Sequence, residues 1–278
     1  VNFLVTWVKQ KMNLVLKLVK AFSHDSSQGN PAAVCFSNAN LTDTECKNIA
    51  RQIGFSEAVF VRIVDGIPLL RFFSPEQEMS MCGHGILAAV HLLLDNKPPL
   101  VRTKAGDVLI HYQAHGLIEM EITTLPRYYS DMPLKNRIAE LLGTSPSAIV
   151  GDPIKLSVGT PKVLVELRVA DDLWNLRPNF VDLANEIPQG IYPYVAIDER
   201  LYYARQFNPA TGIKEDPVTG IAAATLGVYL NNKNASITSF KVEQGHILDK
   251  KGTIFVDVSN GIRIGGYAIV YDEIMLSI

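Results

Sequence analysis

Met79-Ser-Met-Cys-Gly-His84-Gly-Ile-Leu-Ala-Ala-Val-His-Leu-Leu-Leu94 is the stretch whose reading decides the fold. Gly83 and Gly85 bracket His84 in a turn, and an apolar run of good helix formers follows to about Asp95. The junction predicts the start of a buried helix whose first N–H groups have no intrahelical acceptor. Such an end attracts an anion through its free donors and the helix dipole. Taken alone, a glycine turn that merely lets a helix pack closely explains the stretch equally well.

The arrangement occurs twice. The second copy is Glu215-Asp-Pro-Val-Thr-Gly220-Ile-Ala-Ala-Ala-Thr-Leu-Gly-Val-Tyr-Leu230. Arg71-Phe-Phe-Ser-Pro75 precedes the first copy and Arg205-Gln-Phe-Asn-Pro209 the second. Gly29-Asn-Pro-Ala-Ala-Val34 and Gly159-Thr-Pro-Lys-Val-Leu164 make a third pair. Gly29 and Gly159, Arg71 and Arg205, and Gly83 and Gly220 stand 130, 134 and 137 residues apart, in unchanged order. This is a duplicated half, not a solenoid, whose repeats are shorter and more numerous. Two related halves leave a cleft between them, and each half sends one helix N-terminus into it.

Bulk properties narrow the function. The 278 residues allow two domains, and 47% hydrophobic with 19% charged residues is ordinary for a chain with a full core. A net charge of −2 supplies no basic field, so neither nucleic acid nor an anionic membrane is the expected partner. Three cysteines, Cys35, Cys46 and Cys82, without a CxxC pair suit a reducing cytoplasm. The six histidines show no metal-binding spacing, so no metal is expected. No GxGxxG or P-loop follows a strand, so no nucleotide cofactor is expected. Residues 1–11, with a short apolar patch before Lys9-Gln-Lys11, read as a tag or N-terminal extension. The patch is too short to span a bilayer.

Along the chain, β-rich runs at 13–22, 32–36, 56–61 and 67–73 precede the first glycine turn, with a helix over 42–53 between them. That helix carries a capping-box pattern, Thr42 and Glu45, and ends at Gly54. Three short strands follow, and the boundary between halves is placed at Leu125-Pro126, giving domains 12–125 and 126–278. The second half opens with a helix over 134–142 and continues through strands near 154–158, 162–169, 192–197 and 201–207. A helical region over 171–185 is broken by Pro178, the second buried helix runs from Thr219 to Leu230, and three last strands span 237–243, 253–258 and 262–270. Each half is thus many strands about one apolar helix, an α+β pattern.

The halves differ in their chemistry. The first carries Glu57 at a strand start and His84 at the helix start; the second carries Asp216 four residues before Gly220. The position matching Glu57 falls near Tyr192, where no acid stands. One carboxylate per half plus a histidine, facing two helix N-termini, suits proton transfer, with a desolvated acid raised toward neutrality. Each residue also has a plain structural reading. Those readings are a solvated Glu57, a turn initiated by Asp216 before Pro217, and an inert buried Cys82 thiol.

Gly29-Asn-Pro-Ala-Ala-Val34, Ser56-Glu57-Ala-Val-Phe-Val61, Arg71-Phe-Phe-Ser-Pro75, Cys82-Gly-His84 and Glu215-Asp216-Pro-Val-Thr-Gly220 together resemble the phenazine-biosynthesis PhzF-like family. The resemblance runs from about residue 13 to the end. It implies the diaminopimelate-epimerase-like fold, two pseudo-symmetric halves that each wrap a curved, barrel-like sheet around a central helix. It also implies a cofactor-independent isomerase acting on a small carboxylate, and a homodimer. In the phenazine enzyme a glutamate shuttles a proton on a dihydro-hydroxyanthranilate; by motif that glutamate is Glu57, with His84 and Asp216 as polar partners. The N–H groups at Gly83, Gly85, Gly220 and Ile221, beside Thr219, would hold the substrate carboxylate. Related epimerases use a cysteine at each helix start. Here Cys82 faces Thr219, whose hydroxyl is too weak an acid for a thiol pair, so a single carboxylate shuttle fits better. Ile86 and Ile221 replace the family's usual hydroxyl-bearing residues, which implies a smaller or less hydroxylated acid. The alternative is a non-catalytic protein on the same scaffold that binds a small anion or a protein partner.

Overall fold

In the computed structural model residues 12–277 are described, so the proposed extension at 1–11 lies outside the described residues. The first half comprises β1 (Asn13–Ala21), β2 (Asn30–Phe36), α1 (Asp43–Ile53), β3 (Ala58–Val64), β4 (Ile67–Phe73), β5 (Glu78–Met79), α2 (Gly83–His91), β6 (Leu100–Thr103), β7 (Gly106–Tyr112) and β8 (Ile118–Ile122). The second opens with β9 (Arg127–Tyr129), α3 (Lys135–Leu142), β10 (Ile154–Ser157), β11 (Lys162–Glu166), α4 (Ala170–Trp174) and α5 (Phe180–Glu186). It continues with β12 (Ile191–Ala196), β13 (Leu201–Ala204), β14 (Gln206–Asn208), β15 (Ile213–Asp216), α6 (Gly220–Lys233), β16 (Ser239–Gln244), β17 (Gly252–Asp257), β18 (Ile262–Gly266) and β19 (Ala268–Ser277).

The duplication read in the sequence reappears as a duplicated pairing scheme. β1–β2 is antiparallel and β2–β3 parallel, as are β10–β11 and β11–β12. β3–β4 is antiparallel and β4–β6 parallel, as are β12–β13 and β13–β16. β6–β7 and β7–β8 match β16–β17 and β17–β18. β8 pairs with β18, which joins the two sheets along one seam. The 125/126 boundary falls between β8 and β9, but hydrogen bonding does not respect it entirely. The last strand, β19, returns to pair with β1 from Asn13↔Ser277 to Ala21↔Ala268. It completes the first sheet, as β9 completes the second on β10.

This corrects the single strand expected over 262–270. The chain leaves β18 at Gly266, where a Cβ would lie 2.5 Å from Phe22 Cδ1, and after a break at Tyr267 continues as β19, which pairs with β1 instead of β8. The first buried helix is also shorter than expected. It ends at His91, and residues 92–96 turn, with Leu93 N–H donating to Val90 O and Asn96 N–H to Leu93 O.

Both central helices are apolar on every side, which is the pattern of a helix threaded through a core. His84 to Val90 are all buried in α2. α6 buries Gly220, Ala222 to Gly227 and Leu230, and its Ala and Gly residues let strands approach closely; a Cβ on Gly227 would meet Val256 Cγ1 at 2.7 Å. α2 and α6 touch and share one continuous hydrophobic core with the strands around them. Separate clusters lie outside each barrel, under α1 and under α3–α5.

Candidate active site between the helix N-termini

Local rules deliver Glu57. α1 ends at Gly54 in the left-handed region (φ 73°), with its N–H donating to Ala50 O at 3.2 Å. The chain reverses there, so Glu57 emerges immediately ahead of β3 at the mouth of the first barrel. α2 reaches the same place because Gly85 has no side chain: a Cβ would stand 2.9 Å from Val59 Cγ2 and 3.0 Å from Phe72 Cδ1. Glu57 and His84 are therefore pressed together. Nε2 of His84 lies 3.2 Å from Oε2 of Glu57, both side chains being buried. The contact is an ion pair off the hydrogen-bond axis, so Oε2 has no aligned donor although it is shielded from solvent.

Burial pushes the Glu57 carboxyl up, but the positive charge of His84 at 3.2 Å, helped by Ser56, outweighs it and holds Glu57 below the ordinary carboxylate value. His84 is pulled down by burial and raised well above its ordinary value by Cys82 and Glu57. We assign the rise to the Glu57 carboxylate, because burial keeps the Cys82 thiol up and hence protonated. The pair rests as carboxylate and imidazolium. The desolvated acid expected to be raised is therefore not Glu57. The raised acid is Asp216: desolvation and Glu57 lift it against His84, Thr219 and Asn30.

Asp216 closes β15 and is held from three directions. Asn30 Nδ2 donates to its Oδ1 at 3.0 Å, Thr219 Oγ1 donates to its Oδ2 at 2.6 Å, and Gln244 Nε2 donates to its backbone O at 2.7 Å. Gln244 Oε1 accepts in turn from Tyr192 Oη at 3.2 Å and from Thr219 N–H at 3.3 Å. The Thr219 hydroxyl is thus committed to Asp216. Asn30, from the first half, fixes an acid of the second, and Gln244 orients both Asp216 and Thr219; neither Asn30 nor Gln244 was singled out from sequence. For Asn30 the signal was present in the duplicated Gly-Asn-Pro and Gly-Thr-Pro turns.

The duplicated arginine motif also acquires a meaning. Arg71 Nε donates to Glu78 Oε1 at 2.7 Å, and Arg205 grips Glu215 through Nε at 2.9 Å and Nη2 at 2.8 Å. In each half the arginine clamps the strand that leads into the central helix.

Glu57, Gly83, His84, Asp216, Thr219, Gly220 and Ile221 all line one cavity of about 720 Å³. In α2 the first helical bond is Ile86 N–H to Cys82 O, which leaves the N–H groups of Gly83 and His84 ahead of it. In α6 it is Ala223 N–H to Thr219 O, which leaves those of Gly220, Ile221 and Ala222. Gly85 departs from expectation. It does not line the cavity, and its N–H donates to Cys82 Sγ at 3.4 Å, so it serves packing and capping instead of the substrate. Ile86 is fully buried in the core, so the change there alters packing, whereas Ile221 lines the cavity. Donor atoms of Glu57, Cys82 and His84 lie within 4.8 Å of one another, close enough to hold a metal ion. His84 would have to surrender its proton first. All three cysteines are buried and free, and no helix among the described residues is long and apolar enough to cross a membrane.

Comparison with known proteins agrees with this architecture. Residues 19–273 match the model of the PhzC-PhzF family, phenazine biosynthesis-like proteins. The chain belongs to that family. An uncharacterized isomerase of Pseudomonas aeruginosa is 30% identical over 94% of this chain and 97% of its own. A crystal structure of a PhzF-family phenazine biosynthesis protein from Bacillus anthracis superposes with a TM-score of 0.85 at 26% identity, covering 96% of this chain and all of that one. At the level of fold alone, a probable proline racemase of Agrobacterium radiobacter superposes with a TM-score of 0.61 at 12% identity, over 94% of this chain and 92% of its own. The protein is an isomerase-like member of the PhzF family with the diaminopimelate-epimerase-like fold.

Proposed function

We propose that the protein isomerises a small organic carboxylate by moving one proton between two of its carbons, without a cofactor, and that Glu57 is the group that moves it. The observation that carries this reading is the state of Glu57. It is an ionised carboxylate, buried, with one oxygen free of an aligned donor, in a cavity faced by two helix N-termini. A base in that state is ready to accept a proton from carbon without first losing one to solvent.

The substrate carboxylate lies against the free N–H groups of Gly83 and His84 or of Gly220 and Ile221. As the C–H bond breaks, its electron pair delocalises toward that carboxylate, and the negative charge grows on oxygens that already face fixed donors. Glu57, now a carboxylic acid, returns the proton to a second carbon. The imidazolium of His84 holds Glu57 in place and favours its ionised form between turnovers. Asp216, its carboxyl raised by desolvation and held by Asn30 and Thr219, lines the same cavity and positions a polar group of the substrate. Nothing in the site favours the binding-only alternative over this one.

The test is proton NMR in D2O with a panel of small cyclic and unsaturated carboxylates. The wild type should erase one C–H signal of a panel member, and Glu57→Gln should erase none while still shifting that member's resonances on titration. Exchange by Glu57→Gln at the wild-type rate refutes the assignment.

A further inference from the structure

The second half has its own answer to Glu57. β2 meets β3 at Ala33↔Ala58, and β11 meets β12 at Val163↔Ile191. The 130-residue offset carries Ala33 onto Val163, so Glu57, the residue before β3, corresponds to Gly190, the residue before β12. Tyr192, expected from sequence to mark this position, lies two residues further on. Gly190 has φ +90°, and a Cβ there would stand 2.6 Å from Gln206 Nε2 and 3.2 Å from Asn208 Oδ1. Where the first half places its base, the second places two amides and no side chain of its own.

A buried cation lines the same cavity. Lys162 is 3% exposed, and its Nζ donates to the backbone O of Gln189 at 2.8 Å, one bond for a group with three N–H donors. Gln206 is 1% exposed; its Nε2 donates to Phe207 O at 3.1 Å, while its Oε1 is buried without a donor. Asn208 Oδ1 is likewise buried without a donor. Lys162, Gln206 and Asn208 all line the cavity that holds Glu57 and Asp216. Buried acceptors in a folded protein are ordinarily paired, so two orphans on residues lining a cavity that also carries an under-used ammonium mark a place built for a ligand group.

We propose that Lys162, Gln206 and Asn208 form a specificity subsite for a neutral carboxamide on the substrate, at the pseudo-symmetric counterpart of Glu57. A carboxamide offers two N–H donors to the two orphan carbonyl oxygens and one carbonyl oxygen to the ammonium, which satisfies all three. A second carboxylate would bind Lys162 but repel both amide oxygens. A substrate ammonium would suit the oxygens but face Lys162, and a hydroxyl would leave one oxygen unpaired. Burial draws the Lys162 amine down to about 8 while Asp216 opposes the shift, so the ammonium still dominates at neutral pH. The subsite also complements Ile221: the site reads an amide on this wall, not a hydroxyl at the helix start.

The inference rests on the reading of the cavity as a carboxylate site, and the experiment separates the two. Affinities of the full chain are measured by NMR titration for succinamate, glutaramate and adipamate, for the matching diacids and methyl-keto acids, and for the parent monoacids. At least one monoamide should bind the wild type about tenfold or more tightly than its diacid and keto counterparts. In Lys162→Met and Gln206→Leu that preference should collapse to about twofold or less, with parent monoacid affinity unchanged, which also reports that the variants are folded. Equal binding of amide, diacid and keto acid by the wild type, or a preference surviving in both variants, overturns the subsite alone. Failure of every acid to bind overturns the carboxylate reading and the subsite with it.

Discussion

Arg205→Ala and Arg71→Ala make the same change at equivalent positions, and the structure predicts unequal costs. Arg205 is buried, with a side chain 6% exposed against 11% for Glu215. Two of its nitrogens serve Glu215, a third donates to Leu173 O at 3.1 Å, and its guanidinium lies 4.8 Å from the centre of the Phe207 ring. Truncation leaves an uncompensated carboxylate in the interior, a loss of about 3–5 kcal/mol, to which the lost cation–π packing adds about 1 kcal/mol. Arg71 is 30% exposed, and its partner Glu78 keeps a second cation, Lys104 Nζ at 3.0 Å. Its other partner, Asp43, is 66% exposed. Arg71 also lies 4.8 Å from the centre of the Phe73 ring, so that truncation should cost about 1–2 kcal/mol. Urea unfolding followed by circular dichroism measures both. The double variant Arg205→Met/Glu215→Leu should recover most of the Arg205 loss, because no buried charge is then left alone. Equal losses at Arg71 and Arg205, or a double variant no better than Arg205→Ala, would refute the claim that burial sets the cost.

Three further outcomes follow from the site. Gly85→Ala forces α2 away from Val59 and Phe72 and should lower stability by about 1–3 kcal/mol in thermal unfolding, despite the better helix propensity of alanine. The Glu57–His84 pair gives a pH window. Glu57 is lowered from 4.5, so its contribution is present above that value and fades as pH falls through its folded pKa; His84 is raised from 6.5, so its contribution is present below that value and fades as pH rises through a folded pKa well above it. The stability of wild type minus Glu57→Gln should therefore form a plateau that drops on both the acid and the alkaline side, and a flat difference in denaturant titrations across pH would contradict the pairing. Cys82→Ala should leave D2O exchange within about tenfold of wild type, since burial holds the thiol protonated; abolished exchange in a folded variant would point to a thiol base instead.

What the sequence disclosed was mostly local or repeated. The capping box of α1 is formed as read, with Glu45 N–H donating to Thr42 Oγ1 at 3.3 Å and Thr42 N–H to Glu45 Oε2 at 2.9 Å, because all its parts lie within one turn. The break at Pro178 separates α4 from α5 for the same reason. The two central helices were visible because the chain states them twice. What escaped depends on distant partners. β19 finds β1 across the whole chain, and nothing in its own residues, Ala268-Ile-Val-Tyr-Asp-Glu-Ile-Met-Leu-Ser277, names that strand. Asn30 reaches Asp216 across the halves, and Lys162 resembles a surface lysine until β11 turns it toward the cavity. Which of the two acids is raised was not legible either, since burial alone raises both and only His84, 3.2 Å from Glu57, reverses the sign there.

The central claim is that one carboxylate, Glu57, moves the proton. The most direct test follows deuterium incorporation into a responsive carboxylate with wild type, Glu57→Gln and Asp216→Asn side by side. The account predicts that Glu57→Gln loses about a thousandfold or more while still binding the acid, and that Asp216→Asn keeps measurable exchange with weaker binding. Exchange surviving in Glu57→Gln and vanishing in Asp216→Asn would contradict it and move the base to Asp216.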